Sequence, residues 1–453
     1  MDSSSAPING IRRVPPPVND PIRSYAPGSP EKVELKRRLA TMSGDCPEIP
    51  VVVGGKAIHT GELTDVRSPH DHQHVIARFH RARPEDVTAA ITAGAEAQKE
   101  WASWRWEDRA TVMLRAAELL STTWRSTLNA ATMLGQSKTV YQSEIDAACE
   151  MTDFFRFNAH FAQELYTEQP VSAPGMWNQT DYRPLEGFVY AVSPFNFTAI
   201  GGNLTSAPAL MGNVVLWKPA GTAVLSSWYM HQLMTEAGLP PGVINFLPGN
   251  AAAISDVALS HRDLAGVHFT GSNEVFNSMW ETIGRNMGRY RSYPRIVGET
   301  GGKDFIVAHP SADPRAVAVA IVRGGFEYQG QKCSAASRAY IPKSLWKATL
   351  AYAQEMIADI RMGDVADFRN FMGAVIDKKS FTSISEYLAD AGKNAKVLAG
   401  GKANSEKGWF VEPTLVQTED PSYRLLCEEI FGPVMTCYVY DDAKWLDTLK
   451  LVD

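Results

Sequence analysis

The residues best suited to covalent chemistry are a cysteine and a glutamate, each set in a short polar segment. Gly330-Gln331-Lys332-Cys333-Ser334 places the thiol among small and polar residues, outside the apolar density that usually buries a structural cysteine. A cation beside a thiol lowers its pKa and favours the nucleophilic thiolate, a role Lys332 is placed to play. Taken alone, a cysteine is more often a small core residue. Glu299-Thr300-Gly301-Gly302-Lys303 lies 34 residues upstream, after a predicted strand and with glycines that permit close backbone approach. A carboxylate near a thiol can activate the water that releases a thioester, whereas a lone Glu beside a glycine turn is commonly a surface residue. Ser193-Pro194-Phe195-Asn196-Phe197 ends the first strong strand, where the Asn196 amide could face a developing oxyanion or merely serve the turn.

These segments need a scaffold, and the pattern around them supplies one. From Gly187 to Gly302 short β-rich runs (Phe188-Val192, Val214-Trp217, Val243-Leu247, Gly266-Phe269, Arg295-Gly298) alternate with stretches long enough for helices. That alternation predicts an α/β fold with a parallel sheet, whose ligands sit outside the carboxyl ends of the strands. Trp217-Lys218-Pro219 and Phe269-Thr270-Gly271-Ser272 occupy such ends, although no G-x-G-x-x-G follows any strand. Between Arg83 and Glu168 apolar residues recur at helical spacing, starting at Pro84. Pro170 to Pro184 loses that periodicity and reads as a protruding hairpin or loop of the kind that serves oligomer contacts. The Ser- and Pro-rich start, Met1 to Pro30, reads as a mostly extended arm; its arginines suit a mitochondrial transit peptide, its Asp2 and Asp20 do not.

Composition excludes several classes. The 453 residues, 45% hydrophobic, can bury more than one core. A net charge of -6 with no basic run argues against nucleic acid. Five scattered cysteines without a C-x-x-C suggest neither disulfides nor a zinc ribbon, and the apolar runs are too short to span a bilayer. The alternating His70, His72 and His74 read as a polar turn, and no metal is expected.

Pro-Phe-Asn, Lys-Pro, Phe-Thr-Gly-Ser, Glu-x-Gly-Gly-Lys, Gly-Gln-x-Cys and Glu429-Ile430-Phe431-Gly432-Pro433 occur in the order and spacing of aldehyde dehydrogenases, which this sequence resembles from about Tyr25 onward. Glu144-Ala148, Asp153-Ala159, Ser193-Asn203 and Gln329-Ser334 are similar to the pyrroline-5-carboxylate dehydrogenase branch in particular. The resemblance implies NAD-dependent oxidation of L-glutamate γ-semialdehyde to L-glutamate, with Cys333 as nucleophile, Glu299 as base for water and Asn196 as oxyanion donor. It assigns Ser193, Lys218, Gly271, Ser272, Glu429 and Phe431 to the NAD site, and Glu150, Phe197 and Ser334 to the substrate's amino group, methylenes and carboxylate. Gly221 stands where NAD-selective relatives often carry Glu, which leaves NADP open.

The implied layout is an extended arm over 1–40, a Rossmann-type NAD-binding domain over 41–167 and 186–299, an oligomerisation hairpin over 168–185 and an α/β catalytic domain over 300–453. A homo-oligomer in the mitochondrial matrix follows from the same likeness, with the cytoplasm as the alternative. The family continues beyond the residue matching Asp453, with further strands and a loop that anchors the substrate carboxylate. An open sheet edge and exposed apolar surface are therefore expected, and a short form that binds nucleotide or family partners without efficient turnover is the competing reading. A cysteine hydrolase without cofactor is a third, which would leave Lys218 and Glu429 idle.

Overall fold

The computed structural model describes Gly10 and residues 12–453, so the start of the expected arm, residues 1–9 and 11, lies outside the described residues. From Arg12 to Pro27 the chain has no helix or strand and is tied down by polar contacts. Buried Arg125 pairs with Asp20 and with Glu144, and the Tyr25 hydroxyl donates to Glu144 at 2.7 Å. The arm does not extend to residue 40, because a helix runs over Pro30–Gly44. Ser29 accepts from the Lys32 N–H, Pro30 sits in the first turn, and Leu35, Leu39 and Met42 bury one face, which together outweigh the Pro-rich surroundings.

A seven-stranded sheet carries the first half of the site. Arg295–Glu299, Leu264–Thr270, Phe188–Val192, Val214–Lys218 and Ile244–Phe246 lie side by side and parallel, followed by antiparallel Val51–Val53 and Lys56–Ile58. Every residue of Phe188–Val192 and Val214–Lys218 is buried, as expected of parallel strands covered on both faces. After Phe188–Val192 the chain adds two strands on one side, then returns to add two on the other. That reversal opens a crevice beyond the carboxyl ends of Phe188–Val192 and Leu264–Thr270.

A five-stranded sheet carries the second half, in the order Phe305–Val307, Arg338–Pro342, Val434–Tyr440, Thr414–Thr418 and antiparallel Lys396–Ala399. Ile321, Phe326, Ile341, Leu415 and Met435 form its core. The chain crosses from one sheet to the other over Thr300–Asp304. Arg295–Glu299 and Phe305–Val307 are both edge strands, with Val297 58% and Phe305 48% exposed. A smaller sheet pairs Asp71–His80 with Glu48–Ile49 and Leu63–Ser68.

The helical stretch resolves into Pro84–Trp101, Trp106–Ser121, Arg125–Gln136 and Glu150–Thr167, the last preceded by a π-helical turn, Glu144–Cys149. Residues 168–185 contain no strand. Their two arms are joined by side chains, Thr180 N–H donating to Gln169 at 2.8 Å and Asn178 N–H to Ser172 at 3.0 Å, and Val171 and Trp177 stand exposed. The five cysteines are free thiols, and no helix among the described residues is long and apolar enough to cross a membrane.

Candidate active site

Cys333 follows a turn that few residues adopt willingly. Tyr328, Gln329 and Gly330 take φ of 50°, 56° and 66° in succession, and two of them carry a Cβ. Left-handed backbone at non-glycine residues is costly and persists only where the surroundings enforce it. Here the Tyr328 hydroxyl donates to the Gln136 carbonyl at 3.0 Å, while the Gln329 amide donates to the Ala374 carbonyl at 2.7 Å and accepts from Gly373 N–H at 3.0 Å. Gln331 accepts from Ile376 N–H at 2.8 Å. The nucleophile segment is thereby fixed from both sides.

The Cys333 thiol donates to Glu299 Oε1 at 3.5 Å, and Glu299 ends the edge strand of the seven-stranded sheet. Burial and then the Glu299 charge push the thiol up to about 11. The activation expected from Lys332 does not occur. Its ammonium turns away, to Gln142 Oε1 at 2.6 Å and Asp146 at 3.0 Å, because neighbours in a turn need not share a direction. Asn196 comes to the pair from the first strand's end, its buried amide donating to the Gln331 carbonyl at 3.1 Å. The amide's second N–H remains for an oxyanion.

On the other side of Glu299 the residues form a cradle that fits a dinucleotide. Ser272 caps the helix Asn273–Asn286 through Val275 N–H, and Gly271 N–H donates to the Glu299 carbonyl at 3.1 Å. A helix N-terminus of this kind receives phosphate. Lys218 lies at the neighbouring strand end, nearly buried and in no ion pair among the described residues, and burial pushes its ammonium down to about 8. An unpaired buried cation suits a polyanionic ligand. Glu429 accepts from Gly302 N–H at 3.0 Å, and a Cβ on Gly301 would collide with the same carboxylate. Phe431 holds a left-handed φ of 54° with its ring edge-on to Phe195 at 5.8 Å. Ser193 differs from the rest: its hydroxyl faces the core and accepts from the Trp217 indole at 2.9 Å, leaving only main chain for a nucleotide.

Beyond the thiol, Phe197 lies against the wholly buried Lys138, whose ammonium is 4.1 Å from the ring centroid and donates to Asp146 at 2.7 Å. Glu150 begins the helix after the π-helical turn, and its buried Oε2 has no hydrogen-bond partner among the described residues. Burial and then the charge of Asp146 push this carboxyl up to about 7. A cavity of about 650 Å³ opens onto Asp146 and Glu150, walled by Phe154, Phe157, Phe161 and Ile22 of the arm. Ser334 is exposed in the turn beside Cys333.

Residues 57–446 match the aldehyde dehydrogenase family. The chain belongs to that family. It is 50% identical to the mitochondrial delta-1-pyrroline-5-carboxylate dehydrogenase of Dictyostelium discoideum over 97% of this chain and 80% of that one. It is 47% identical to the mitochondrial enzyme of that name from Homo sapiens, over 96% of this chain and 78% of that one. The crystal structure of the Mycobacterium tuberculosis delta-pyrroline-5-carboxylate dehydrogenase bound with NAD superposes with a TM-score of 0.95 at 47% identity, covering 98% of this chain and 83% of that chain.

For an aldehyde dehydrogenase the interest of this site lies also in what motif reading missed. Lys138 belongs to none of the motifs, and Asp146 lies in the Glu144-Ala148 stretch with no role of its own there; the four-residue spacing of Asp146 and Glu150 is the signal that both share a helix face. The alternating histidines separate: His70 packs between Ser68 and Ser137, His72 stacks on Trp409, and His74 meets the Ser43 carbonyl. Among the described residues Glu48, His59 and His80 bring three metal-capable atoms within 4.8 Å. His80 Nδ1 accepts from Gly61 N–H at 3.1 Å, so its other nitrogen bears the proton and points it at Glu48, 2.7 Å away. The cluster centre thus holds a hydrogen bond where a metal would need a lone pair.

Proposed function

We propose that this aldehyde dehydrogenase oxidises L-glutamate γ-semialdehyde, the open form of delta-1-pyrroline-5-carboxylate, to L-glutamate with NAD, in proline degradation. The observation that carries the reading is the Cys333–Glu299 pair, 3.5 Å apart, set between a dinucleotide cradle and an unpartnered buried carboxylate suited to an ammonium group. The likeness to enzymes of that name supports it.

Cys333, its proton lost to solvent, adds to the aldehyde carbon, and the new C–S bond leaves the former carbonyl oxygen as an oxyanion. The Asn196 amide and the Cys333 backbone N–H hold that charge. Lys218, Gly271, Ser272, Glu429, Phe431 and the Ser193 main chain would hold NAD, which supplies the acceptor for the hydride that departs as the thioester forms. Glu299 then takes a proton from water, the hydroxide attacks the thioester, and Cys333 leaves as thiolate. Glu150 receives the substrate ammonium, Phe197 its methylenes and Ser334 its carboxylate.

We assign cofactor binding to 41–167 and 186–299, catalysis to 300–453, and subunit contacts in a homo-oligomer to 168–185, where the exposure of Val171 and Trp177 favours a partner surface. The mitochondrial relatives favour that organelle, and we place the enzyme in its matrix. The test is absorbance of reduced nicotinamide on mixing the protein with pyrroline-5-carboxylate and NAD. Reduction that vanishes in Cys333→Ala supports the reading. Nucleotide binding without reduction overturns it in favour of a binding role, and NAD-independent ester cleavage overturns it in favour of a hydrolase.

A further inference from the structure

Two lysines and two carboxylates meet beside Phe197, and their pairing is one-sided. Lys138 and Lys332 both donate to the same oxygen of Asp146, at 2.7 and 3.0 Å. Glu150 lies four residues further on, in the electrostatic field of Asp146 and of both lysines, yet its Oε2 is bonded to neither. Asp146 lies within the π-helical turn Glu144–Cys149 and Glu150 directly after it, and such turns are frequent at functional sites. In a low-dielectric interior an ammonium that loses its counter-ion turns to the nearest remaining carboxylate, since an unpaired buried charge is strongly unfavourable.

We propose that Asp146 is a specificity-determining positioning residue: by holding Lys138 and Lys332 it keeps the Glu150 carboxylate open, and so makes the site select ligands that carry an α-amino group. Asp146 touches no substrate in this scheme and directs the ammonium groups through the two lysines it holds. The inference rests on the proposed function for the identity of its ligand, and it sharpens that function into a statement about discrimination.

Glutamate and glutarate differ by the amino group alone, so the ratio of their affinities for the full chain, measured by titration calorimetry, isolates the effect. The wild type prefers glutamate. Asp146→Asn lowers that preference by about tenfold, the scale of one charge-assisted hydrogen bond. Glu150→Gln lowers it as well, and Asp146→Asn adds nothing in the Glu150→Gln background. Lys332→Met removes one competing ammonium and therefore keeps or raises the preference, and it serves where Asp146→Asn does not fold. A purely structural role predicts equal weakening of both acids in either variant, and that result overturns the proposal. So does a further loss of preference in the double variant, or a loss in Lys332→Met. A protein that prefers glutamate in this manner yet reduces no NAD overturns the proposed oxidation and supports the selectivity device. A protein that turns over pyrroline-5-carboxylate while binding both acids equally does the reverse.

Discussion

Replacing Glu299 by Gln separates two effects of one carboxylate. In the resting enzyme its charge opposes ionisation of Cys333; during turnover it deprotonates water. At the 3.5 Å between Cys333 Sγ and Glu299 Oε1, two unit charges in a water-like medium repel by about 1 kcal/mol. With the thiol at about 11, only about one molecule in a thousand is thiolate at pH 8. Removing the charge raises that population roughly five- to tenfold. A less basic thiolate is also a poorer nucleophile, which trims the gain in alkylation rate to about threefold. Turnover moves the other way, falling by about 10²–10⁴ for a lost general base. The assays are iodoacetamide labelling followed by intact mass, and stopped-flow absorbance of reduced nicotinamide. Glu299→Gln should label faster than wild type, release one burst equivalent of reduced cofactor, and then stall. Slower labelling together with loss of the burst would refute the reasoning, since it would make Glu299 the base for the thiol itself.

Asn196→Ala should lower kcat by about 10²–10³ in steady-state kinetics while KM changes less, because the oxyanion donor acts in the transition state. Glu150 in the folded state titrates at about 7, above its ordinary 4.5, so its proton stabilises the fold fully below pH 4.5 and that contribution is lost as pH rises to 7. Glu150→Gln should therefore gain on wild type in denaturant stability by on the order of 2–3 kcal/mol between about pH 5 and pH 8; a pH-independent difference would contradict the shift. Gly221→Glu, at a position with open space toward Phe79, should depress kcat/KM for NADP relative to NAD by about tenfold or more through repulsion of the extra phosphate.

What was legible in the sequence depended on whether the cause was local. Phe188–Val192, Val214–Lys218 and Ile244–Phe246 announce themselves because they are short, largely apolar runs buried on both faces, and Cys333, Glu299 and Asn196 stand in motifs of fixed order. The helix at Pro30–Gly44 carried its own start signal in Ser29-Pro30, masked by the Pro-rich stretch before it. Lys332 is next to the thiol in sequence but not in space, because its ammonium turns to Gln142 and Asp146. Lys138 left no trace, since a buried lysine is defined by a partner eight residues away and by aromatic rings far off in the chain. The left-handed Tyr328 and Gln329 are equally silent, because the bonds that hold them come from Gln136, Gly373 and Ala374.

The crossing at Thr300–Asp304 joins the two sheets directly beneath the reacting pair. Glu299 rides on one sheet, and Cys333 belongs with the other. Glu429 grips the crossing at Gly302, and the Cys333 carbonyl leaves no room there for a Cβ. The join between the two sheets is thus also where base and sulfur meet, so that a spectroscopic ruler between Glu299 and Cys333 spans the two halves of the molecule at their covalent link.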